Sequence, residues 1–294
     1  MRNRYVIYTA LIGGYDNIQQ PLVVDDRFDY VLFTDDVHES KIGVWQIRKV
    51  DYTNANLIRI ARYVKTHPIE LLTDYDCSVW MDANLQITSP YIYEKTIELY
   101  NSEALIASVL HPERDCIYDE VYQMVGLYFE SEYMGLNWAH VLWKNHYPFH
   151  NGLHETNIVW RRHCDKIQDM NAQWWNCINH YSHRDQFSFD YVLWQKGISC
   201  ELVLPAGIHS ANTEHIRFIV HPDASQKRKR LEPTPKQWRR LKYFYFDGEE
   251  QKVKRKKCLK YVIRFSNTQS ILELVYWYIR FHDDLKYLRN KLKK

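Results

Sequence analysis

A series of short apolar runs is the feature of this sequence that most constrains its fold. Such runs occupy residues 4–11, 29–33, 77–81, 104–110, 156–160 and 200–204. Continuous runs of this length, rich in Val, Leu and aromatic residues, are typical of strands buried on both faces of a parallel sheet. Helical spacing separates them at 54–65, 120–128 and 186–195. The alternation predicts an α/β fold with a mostly parallel sheet flanked by helices.

Charge divides the 294-residue chain into two parts. Residues 1–225 carry a net charge of −11, whereas residues 226–294 carry +14. We therefore predict one domain over 1–225 and a basic, aromatic, helical extension over 226–294. Interleaved cations and aromatic side chains favour contact with an anionic membrane surface. Packing on the domain or on a second subunit is the alternative, and no nucleic-acid-binding module is recognisable.

Cysteine usage and hydropathy indicate the compartment. The six cysteines are scattered without zinc-ligand spacing, which is typical of the free thiols of a cytosolic protein. No run reaches the roughly 18 uncharged apolar residues that a membrane span requires. The apolar N-terminal segment is interrupted by Tyr, Thr and paired Gly, which favours a buried strand over a signal peptide. We expect a cytoplasmic protein, in peripheral contact with the inner face of the membrane if the extension binds lipid.

Polar residues follow the first three predicted strands, at the edge where parallel sheets bind ligands. Thr9 and a Gly13-Gly14 turn come with the first strand, Asp35 follows the second, and Asp82 and Asn84 follow the third. One carboxylate and one amide oxygen at i and i+2 suit a hard divalent cation. Ordinary turn hydrogen bonding is the alternative for this pair. The G-x-G-x-x-G fingerprint and the P-loop are absent.

Several segments together identify a family resemblance. YTALIGGYDN, DYVLFTDD, RIARYVKTHP and SVWMDANLQI, in this order, resemble a glycosyltransferase-like family of bacterial polysaccharide loci, shared with the plant turgor-regulation and mucilage-related proteins. HPERDCIYDE, LHETNIVWRRH, HRDQFSFDYVLW and IRFIVHP extend the match over roughly residues 5–223. The resemblance implies a GT-A-like (Rossmann-like) fold, a nucleotide-sugar donor, most simply a UDP-sugar, and Mn²⁺ or Mg²⁺ as cofactor.

The resemblance also assigns donor-site residues. WMDAN stands where such enzymes carry Asp-x-Asp, so Asp82 is the expected metal or diphosphate ligand and Asn84 replaces the second Asp. A further ligand is expected from His221 or, failing that, His209. The base and ribose pocket is assigned to Thr9, Tyr15, Asp16 and Asp35. The diphosphate is assigned to Arg59, Arg62 and Lys65, for which a solvated helix face is the alternative.

The element HRDQ resembles the Asp-Gln pair of retaining glycogenin-like transferases, which makes Asp185 and Gln186 the catalytic candidates. Asp185 would stabilise positive charge in a retaining reaction, which we favour, or act as general base in an inverting one; an N-cap is the structural alternative. His154, Glu155 and Arg114 are assigned to acceptor hydroxyls, with structural hydrogen bonding as the alternative. The pair Trp174-Trp175 belongs either to a sugar-stacking surface or to the core.

These features predict a hexosyltransferase-like bacterial enzyme that extends a surface glycan such as capsule, O-antigen or lipooligosaccharide. Its expected partners are the nucleotide sugar and a glycan or lipid-linked glycan acceptor, with a homo-oligomer also compatible. Asn84 in place of Asp motivates an alternative, a catalytically degenerate protein of the same fold that binds glycans or acts as a scaffold.

Overall fold

A computed structural model describes residues 4–14, 17–127 and 129–220 of the chain. The described strands are β1 (Tyr5–Leu11), β2 (Phe28–Thr34), β3 (Lys41–Ile42), β4 (Trp45–Lys49), β5 (Cys77–Met81), β6 (Leu85–Ile87), β7 (Ile106–Leu110), β8 (His154–Arg162), β9 (Glu201–Leu202) and β10 (Ile216–Phe218). The described helices are α1 (Leu57–Thr66), α2 (Pro68–Leu71), α3 (Tyr91–Asn101), α4 (Ile117–Gly126), α5 (Glu132–Lys144), α6 (Asp165–His180) and α7 (Gln186–Lys196).

Eight strands form one mixed sheet in the order β3-β4-β2-β1-β5-β8-β7-β9. β1 pairs in parallel with β2 and β5, β2 with β4, and β7 with β9. The predicted α/β fold with a mostly parallel sheet is thereby confirmed. All six predicted strands are present, although the last is shorter than expected. The short strands β3, β6 and β10 and the partly exposed strand β4 were not predicted, because two or three residues, or a strand of mixed exposure, carry no clear periodicity.

β8 runs antiparallel to both of its neighbours, β5 and β7. The chain between β7 and β8 leaves and re-enters at the same edge, where the backbone N–H of His111 donates to the carbonyl of Leu153 at 2.9 Å. A strand that re-enters at the edge it left must run in reverse. As a result, the beginning of β8 lies at the edge where β5 and β7 end.

The two faces of the sheet carry different side chains because successive residues of a strand point to opposite sides. Ile7, Val79 and Trp160 belong to an apolar cluster that also contains residues of α3 and of the small β6–β10 sheet. On the opposite face, Tyr8 packs edge-on against Trp80 at 5.3 Å. Helices α1, α6 and α7 cover this second face, which becomes the face that holds the buried charges described below.

Residues Tyr118–His146, which carry most of α4 and all of α5, belong to a second compact unit of the chain. Ser131 begins α5 by accepting a hydrogen bond from the backbone N–H of Met134 at 3.2 Å, as N-cap residues do. A Cβ atom at Gly135 would lie 2.4 Å from the side chain of Val125. Only glycine therefore allows α5 to approach α4 this closely.

Among the helices of the described ranges, none has the length and apolar character needed to cross a membrane. The predicted extension over 226–294 lies outside the described residues. Its helical character, its membrane contact and the boundary between 225 and 226 therefore stay predictions.

A substitution at Gly197 tests whether α7 ends in a left-handed residue. Gly197 ends the helix in the left-handed region with φ +59°, and a Cβ there would have no neighbour within 4 Å. We expect Gly197→Ala to lower the free energy of unfolding by about 1 kcal/mol, because an L side chain is strained in this conformation. Gly197→Asn should cost less, since Asn tolerates the same region. Urea unfolding measures both, and equal stability of Gly197→Ala and wild type would contradict the assignment.

Candidate functional site

The carboxyl ends of β1, β2 and β5 and the beginning of β8 meet at one edge of the sheet. The edge is held together by backbone contacts: the N–H of Asp82, just after β5, donates to the carbonyl of Asn157 in β8 at 2.9 Å. Because β8 is antiparallel, its first residues lie beside the strand ends at which parallel sheets bind ligands. Residues predicted separately, after β5 and at the start of β8, are thus brought together.

Asp185 lies at the centre of a buried charge cluster, which we call the carboxylate cluster (Asp185, Lys65, Arg62, Thr156 and Asp82). Its carboxylate accepts hydrogen bonds from the ammonium of Lys65 and from Oγ1 of Thr156, the latter at 2.8 Å. Nε of Arg62 lies 3.1 Å from the other carboxylate oxygen. Asp185 is only 4% exposed.

Asp185 occupies the N-cap position of α7, but its side chain does not cap the helix. The residue already has helical angles, φ −59° and ψ −36°, and its side chain makes no capping hydrogen bond to α7. Its backbone carbonyl instead accepts from the indole N–H of Trp174 at 2.9 Å. The fully buried Trp174 is therefore part of the core, as one of the two interpretations of the tryptophan pair proposed.

Lys65 connects Asp185 to Asp82. Its side chain is 1% exposed, and its Nζ lies 3.8 Å from Oδ1 of Asp82 in addition to its bond with Asp185. The ammonium also lies 5.3 Å from the Trp80 ring and 6.0 Å from the Trp174 ring, within cation–π range. A solvated helix face is thus excluded for Lys65, which points into the protein from the last turn of α1.

Mutual attraction opposes the effect of burial on the pKa of both partners of this pair. Burial raises the pKa of Asp185, but the charges of Arg62 and Lys65 outweigh it and hold the pKa well below its ordinary value. Burial also lowers the pKa of Lys65 below its ordinary value, and the charges of Asp185 and Asp82 offset only part of that change. Asp185 is consequently an ionised carboxylate and a weak base at neutral pH.

Asp82 differs from Asp185 in its access to solvent, because about a third of its side chain (33%) is exposed. Its Oδ1 accepts from the indole N–H of Trp80 at 2.7 Å. The turn that follows is closed by the backbone, with the N–H of Leu85 donating to the Asp82 carbonyl at 2.9 Å. The side chain of Asp82 is therefore not used to build the turn.

Asn84 has a structural partner. It is 4% exposed, and its Nδ2 donates to the backbone carbonyl of Ile219 at 3.1 Å, while the N–H of Ile219 donates back to the Asn84 carbonyl at 2.9 Å. Asn84 thereby joins the loop before β6 to the chain after β10. The predicted ligand His221 lies outside the described residues.

The donor atoms at this edge fit a small divalent cation. Trp80 occupies Oδ1 of Asp82, which leaves Oδ2, and the bond to Ile219 fixes the amide of Asn84 so that its Oδ1 is the remaining acceptor. Mg²⁺ and similar hard cations commonly use one or two protein oxygens together with water and substrate phosphates. His209 precedes Ser210, whose Oγ accepts from Nδ2 of Asn157 at 2.7 Å.

A narrow apolar cleft opens beside Asp82 on the opposite face of the sheet from the carboxylate cluster. It is lined by Ile7, Thr9, Ile18, Gln19, Pro21, Trp45, Met81, Asp82, Ala83, Leu85 and Ile87. The hydroxyl of Thr9 is buried, with no hydrogen-bond partner among the described residues. A buried hydroxyl without a partner is costly, so this one is suited to a ligand or a water molecule.

The first loop is held by Asp35. Both carboxylate oxygens of Asp35 accept from the backbone N–H of Gly13, at 2.9 and 3.1 Å, and Gly13 itself has a φ of +68°. Asp35 therefore shapes the glycine turn. Tyr15 and Asp16, which were assigned to the same pocket, lie outside the described residues.

Arg59 and Arg62 lie at the rim of the cluster on α1. Nη2 of Arg59 donates to the carbonyl of Tyr181 at 3.2 Å. Nε of each arginine is buried and makes no hydrogen bond among the described residues. Arg62 therefore lies beside the carboxylates through its ion pair with Asp185, whereas Arg59 is held at Tyr181.

The residues assigned to the acceptor have structural partners. Nδ1 of His154 lies 2.5 Å from Oδ1 of Asp190; burial lowers the pKa of His154, but its hydrogen bonds to Asp190 and Cys200 outweigh burial and raise the pKa to about 11. Arg114 bonds Glu113 and the ring of His111, which stabilises the loop after β7.

Two contributors to the site escaped sequence reasoning, Thr156 and Trp80, which bond Asp185 and Asp82 respectively. The motif HETN contained Thr156, and the signal that could have singled it out is strand alternation: Oε2 of Glu155 accepts from Asn157 at 3.3 Å, whereas Thr156 between them faces Asp185. Trp80 precedes Asp82 by two residues and so shares its side of the strand.

Comparison with known proteins gives a family match. A sequence model described as TOD1/MUCI70, glycosyltransferase-like domain, matches residues 1–204. Among solved structures, the apo form of the bifunctional glycosyltransferase WbbM is similar, with a TM-score of 0.40 and 10% identity. That similarity covers 69% of this chain and 39% of the WbbM chain. No curated protein matches the sequence.

The charge of Asp185 can be tested through stability. Asp185→Asn leaves Lys65 and Arg62 without their buried counter-charge, so we expect the free energy of unfolding at pH 7 to fall by about 3 kcal/mol. Because the folded pKa of Asp185 lies below its unfolded value, the contribution of the carboxylate is complete above about pH 4 and is lost as pH falls further. Urea unfolding at several pH values should show the difference between wild type and variant shrinking in acid.

Glu98→Gln is the matched control, since Glu98 forms an exposed pair with Lys95 and should change stability by less than about 0.5 kcal/mol. An Asp185→Asn protein as stable as wild type at pH 7 would remove Asp185 from the ion cluster.

Proposed function

Because the chain belongs to the TOD1/MUCI70 glycosyltransferase-like family, we propose that it transfers a sugar from a nucleotide-sugar donor to a glycan acceptor, assisted by a divalent cation. The observation that carries this proposal is the charge balance at the edge of the sheet. Three cations, Arg62, Lys65 and Arg161, interact with the two carboxylates, Asp82 and Asp185. An excess of fixed positive charge beside an exposed carboxylate favours a diphosphate, alone or with a bound cation.

The apolar cleft supports a nucleotide rather than a simple phosphate. A flat base suits a pocket lined by Trp45, Ile7 and Met81, and the unpartnered hydroxyl of Thr9 offers it a hydrogen bond. Asp82 belongs both to this cleft and to the carboxylate cluster. A nucleotide with its base in the cleft would place its diphosphate at Asp82, and we propose a UDP-sugar as donor.

Asp82 and Asn84, with His209 or His221, would hold Mn²⁺ or Mg²⁺. When bound, the cation neutralises charge on the departing diphosphate as a Lewis acid. The protein's own part is to position Asp82 through Trp80 and Asn157, so that one carboxylate oxygen is presented at the edge of the sheet.

We propose that Asp185 stabilises positive charge that develops on the sugar and that Gln186 binds a sugar hydroxyl. An ionised carboxylate with a depressed pKa is a poor proton acceptor, which favours a retaining reaction. Nε2 of Gln186 is buried and has no hydrogen-bond partner among the described residues. In an inverting reaction the base would have to be another group, and Glu155, at the beginning of β8, is the carboxylate beside this edge.

Further parts of the proposal rest on the resemblance and on residues beyond 220. We propose that the sheet is of the GT-A type and that the acceptor is a bacterial surface glycan or its lipid-linked precursor. The extension over 226–294 would contact the anionic inner face of the membrane. His154 and Arg114 would support the acceptor loops rather than bind hydroxyls, because their partners are protein groups.

A second candidate function is glycan binding without turnover. Asn84 favours it, because its amide is committed to Ile219 and supplies no second carboxylate. The two candidates differ in one observable: an enzyme releases free nucleotide from its donor, whereas a degenerate protein binds donor or glycan and releases none.

Nucleotide binding is tested by calorimetric titration with UDP, GDP and CDP, with Mn²⁺ or with EDTA. We expect UDP to bind more tightly with Mn²⁺, and Asp82→Asn to remove the gain from the metal because it loses the exposed carboxylate oxygen. Glu98→Gln, far from the edge along α3, should bind like wild type. Absence of binding by every nucleotide under both conditions would contradict the proposal.

Comparison of UDP with uridine distinguishes the residues that bind the diphosphate from those that bind the base. Arg62→Gln should weaken UDP about tenfold and leave uridine unchanged, since only UDP carries the anion that the guanidinium meets. Thr9→Val, which keeps the shape of the side chain, should weaken both ligands, because the base loses its hydrogen bond. Titration measures both, and an equal loss of uridine in the Arg62 variant would contradict the assignment of Arg62 to the diphosphate.

A further inference from the structure

One ammonium group interacts with two carboxylates at this site. Nζ of Lys65 is bonded to Asp185 and lies 3.8 Å from Oδ1 of Asp82. The lysine is buried, whereas Asp82 is partly exposed. Water therefore screens the attraction between them less than it would for a surface pair.

Lys65 is fixed in this position by its surroundings. Its ammonium lies against the rings of Trp80 and Trp174, and its backbone carbonyl accepts from the hydroxyl of Tyr8 at 2.9 Å. A buried lysine held on all sides cannot move away when a ligand reaches Asp82. Its amine, paired with Asp185, therefore stays beside the Asp82 carboxylate.

Other cations surround the pair. Arg62 contacts Asp185, and the guanidinium of the fully buried Arg161 lies 5.4 Å from the Trp174 ring and donates to the Tyr8 hydroxyl at 2.8 Å. Neither is in contact with Asp82 in the described structure, whereas Lys65 is. Lys65 is therefore the cation whose removal changes the field at Asp82 most.

We propose that Lys65 is a positioning residue that sets the ligand preference of Asp82, so that the site takes a divalent cation as its complex with a nucleoside diphosphate rather than as the free ion. The inference rests on the proposed function. A fixed positive charge beside Asp82 repels a free cation and attracts a diphosphate. A cation that arrives already bound to the diphosphate carries less positive charge and meets less repulsion.

Opposite changes in two affinities test the inference. In Lys65→Met the ammonium is removed and an apolar chain of similar length remains. The affinity for Mn²⁺ alone should rise about tenfold, and the affinity for UDP in EDTA should fall about tenfold, because the lost charge opposed the first ligand and favoured the second. Isothermal titration measures both. A variant that was merely loosened would lose affinity for both ligands.

Three further variants make the test secure. Lys65→Arg keeps the charge and should leave the affinities for Mn²⁺ and for UDP close to those of wild type. Lys95→Met, at an exposed pair on α3, should leave both unchanged. If Lys65→Met does not fold, the double variant Lys65→Met with Asp185→Asn removes the unpaired buried carboxylate. It should still show a higher affinity for Mn²⁺ and a lower affinity for UDP than wild type, with smaller changes.

The two arms of the experiment separate this inference from the proposed function. The Mn²⁺ arm uses no nucleotide, so an unchanged or lower Mn²⁺ affinity in Lys65→Met overturns the inference whatever UDP does. If instead wild type binds no UDP with or without Mn²⁺, the proposed function fails, and a rise in Mn²⁺ affinity in the variant still supports the role of Lys65.

Discussion

The buried ion pair between Lys65 and Asp185 is the interaction on which the site depends, because it joins α1 to α7 and, through Thr156, to β8. A buried pair of this kind contributes little net stability, since the desolvation of both charges offsets their attraction. Removing one partner is nevertheless costly, because the other charge is left buried and alone. The pair therefore fixes the arrangement of three elements more than it stabilises the fold.

The reversed direction of β8 determines what this pair can reach. In an all-parallel sheet, the first residues of β8 would lie at the edge opposite Asp82. Because β8 is antiparallel, Thr156 and Asn157 lie beside Asp82, one bonded to Asp185 and the other accepting from the Asp82 backbone. The connection between the two carboxylates is thus a consequence of topology, which local sequence does not encode.

The sequence was informative where polar residues lie in or directly after a predicted strand. The strand ends identified Thr9 and Asp82, and apolar periodicity identified α1 and α7 within a few residues of their bounds. It did not predict the burial of Lys65, because a lysine beside two arginines on a helix has the pattern of an exposed face. Its burial is imposed by Trp80 and Trp174, which are distant in sequence and meet it only after folding. Short edge strands were missed because they bury too few side chains to show a period.

Asn84 and Lys65 both reduce the negative charge at this edge of the sheet. The carbonyl of Ile219 is an acceptor, so the side chain at position 84 must supply a donor, which an amide does and an ionised carboxylate does not. An Asp at this buried position would place a negative charge against a carbonyl oxygen. With a single exposed carboxylate and a fixed ammonium behind it, the edge carries less negative charge than an Asp-x-Asp pair would. We therefore expect such a site to hold a free cation weakly and a diphosphate well, with both residues acting in the same direction.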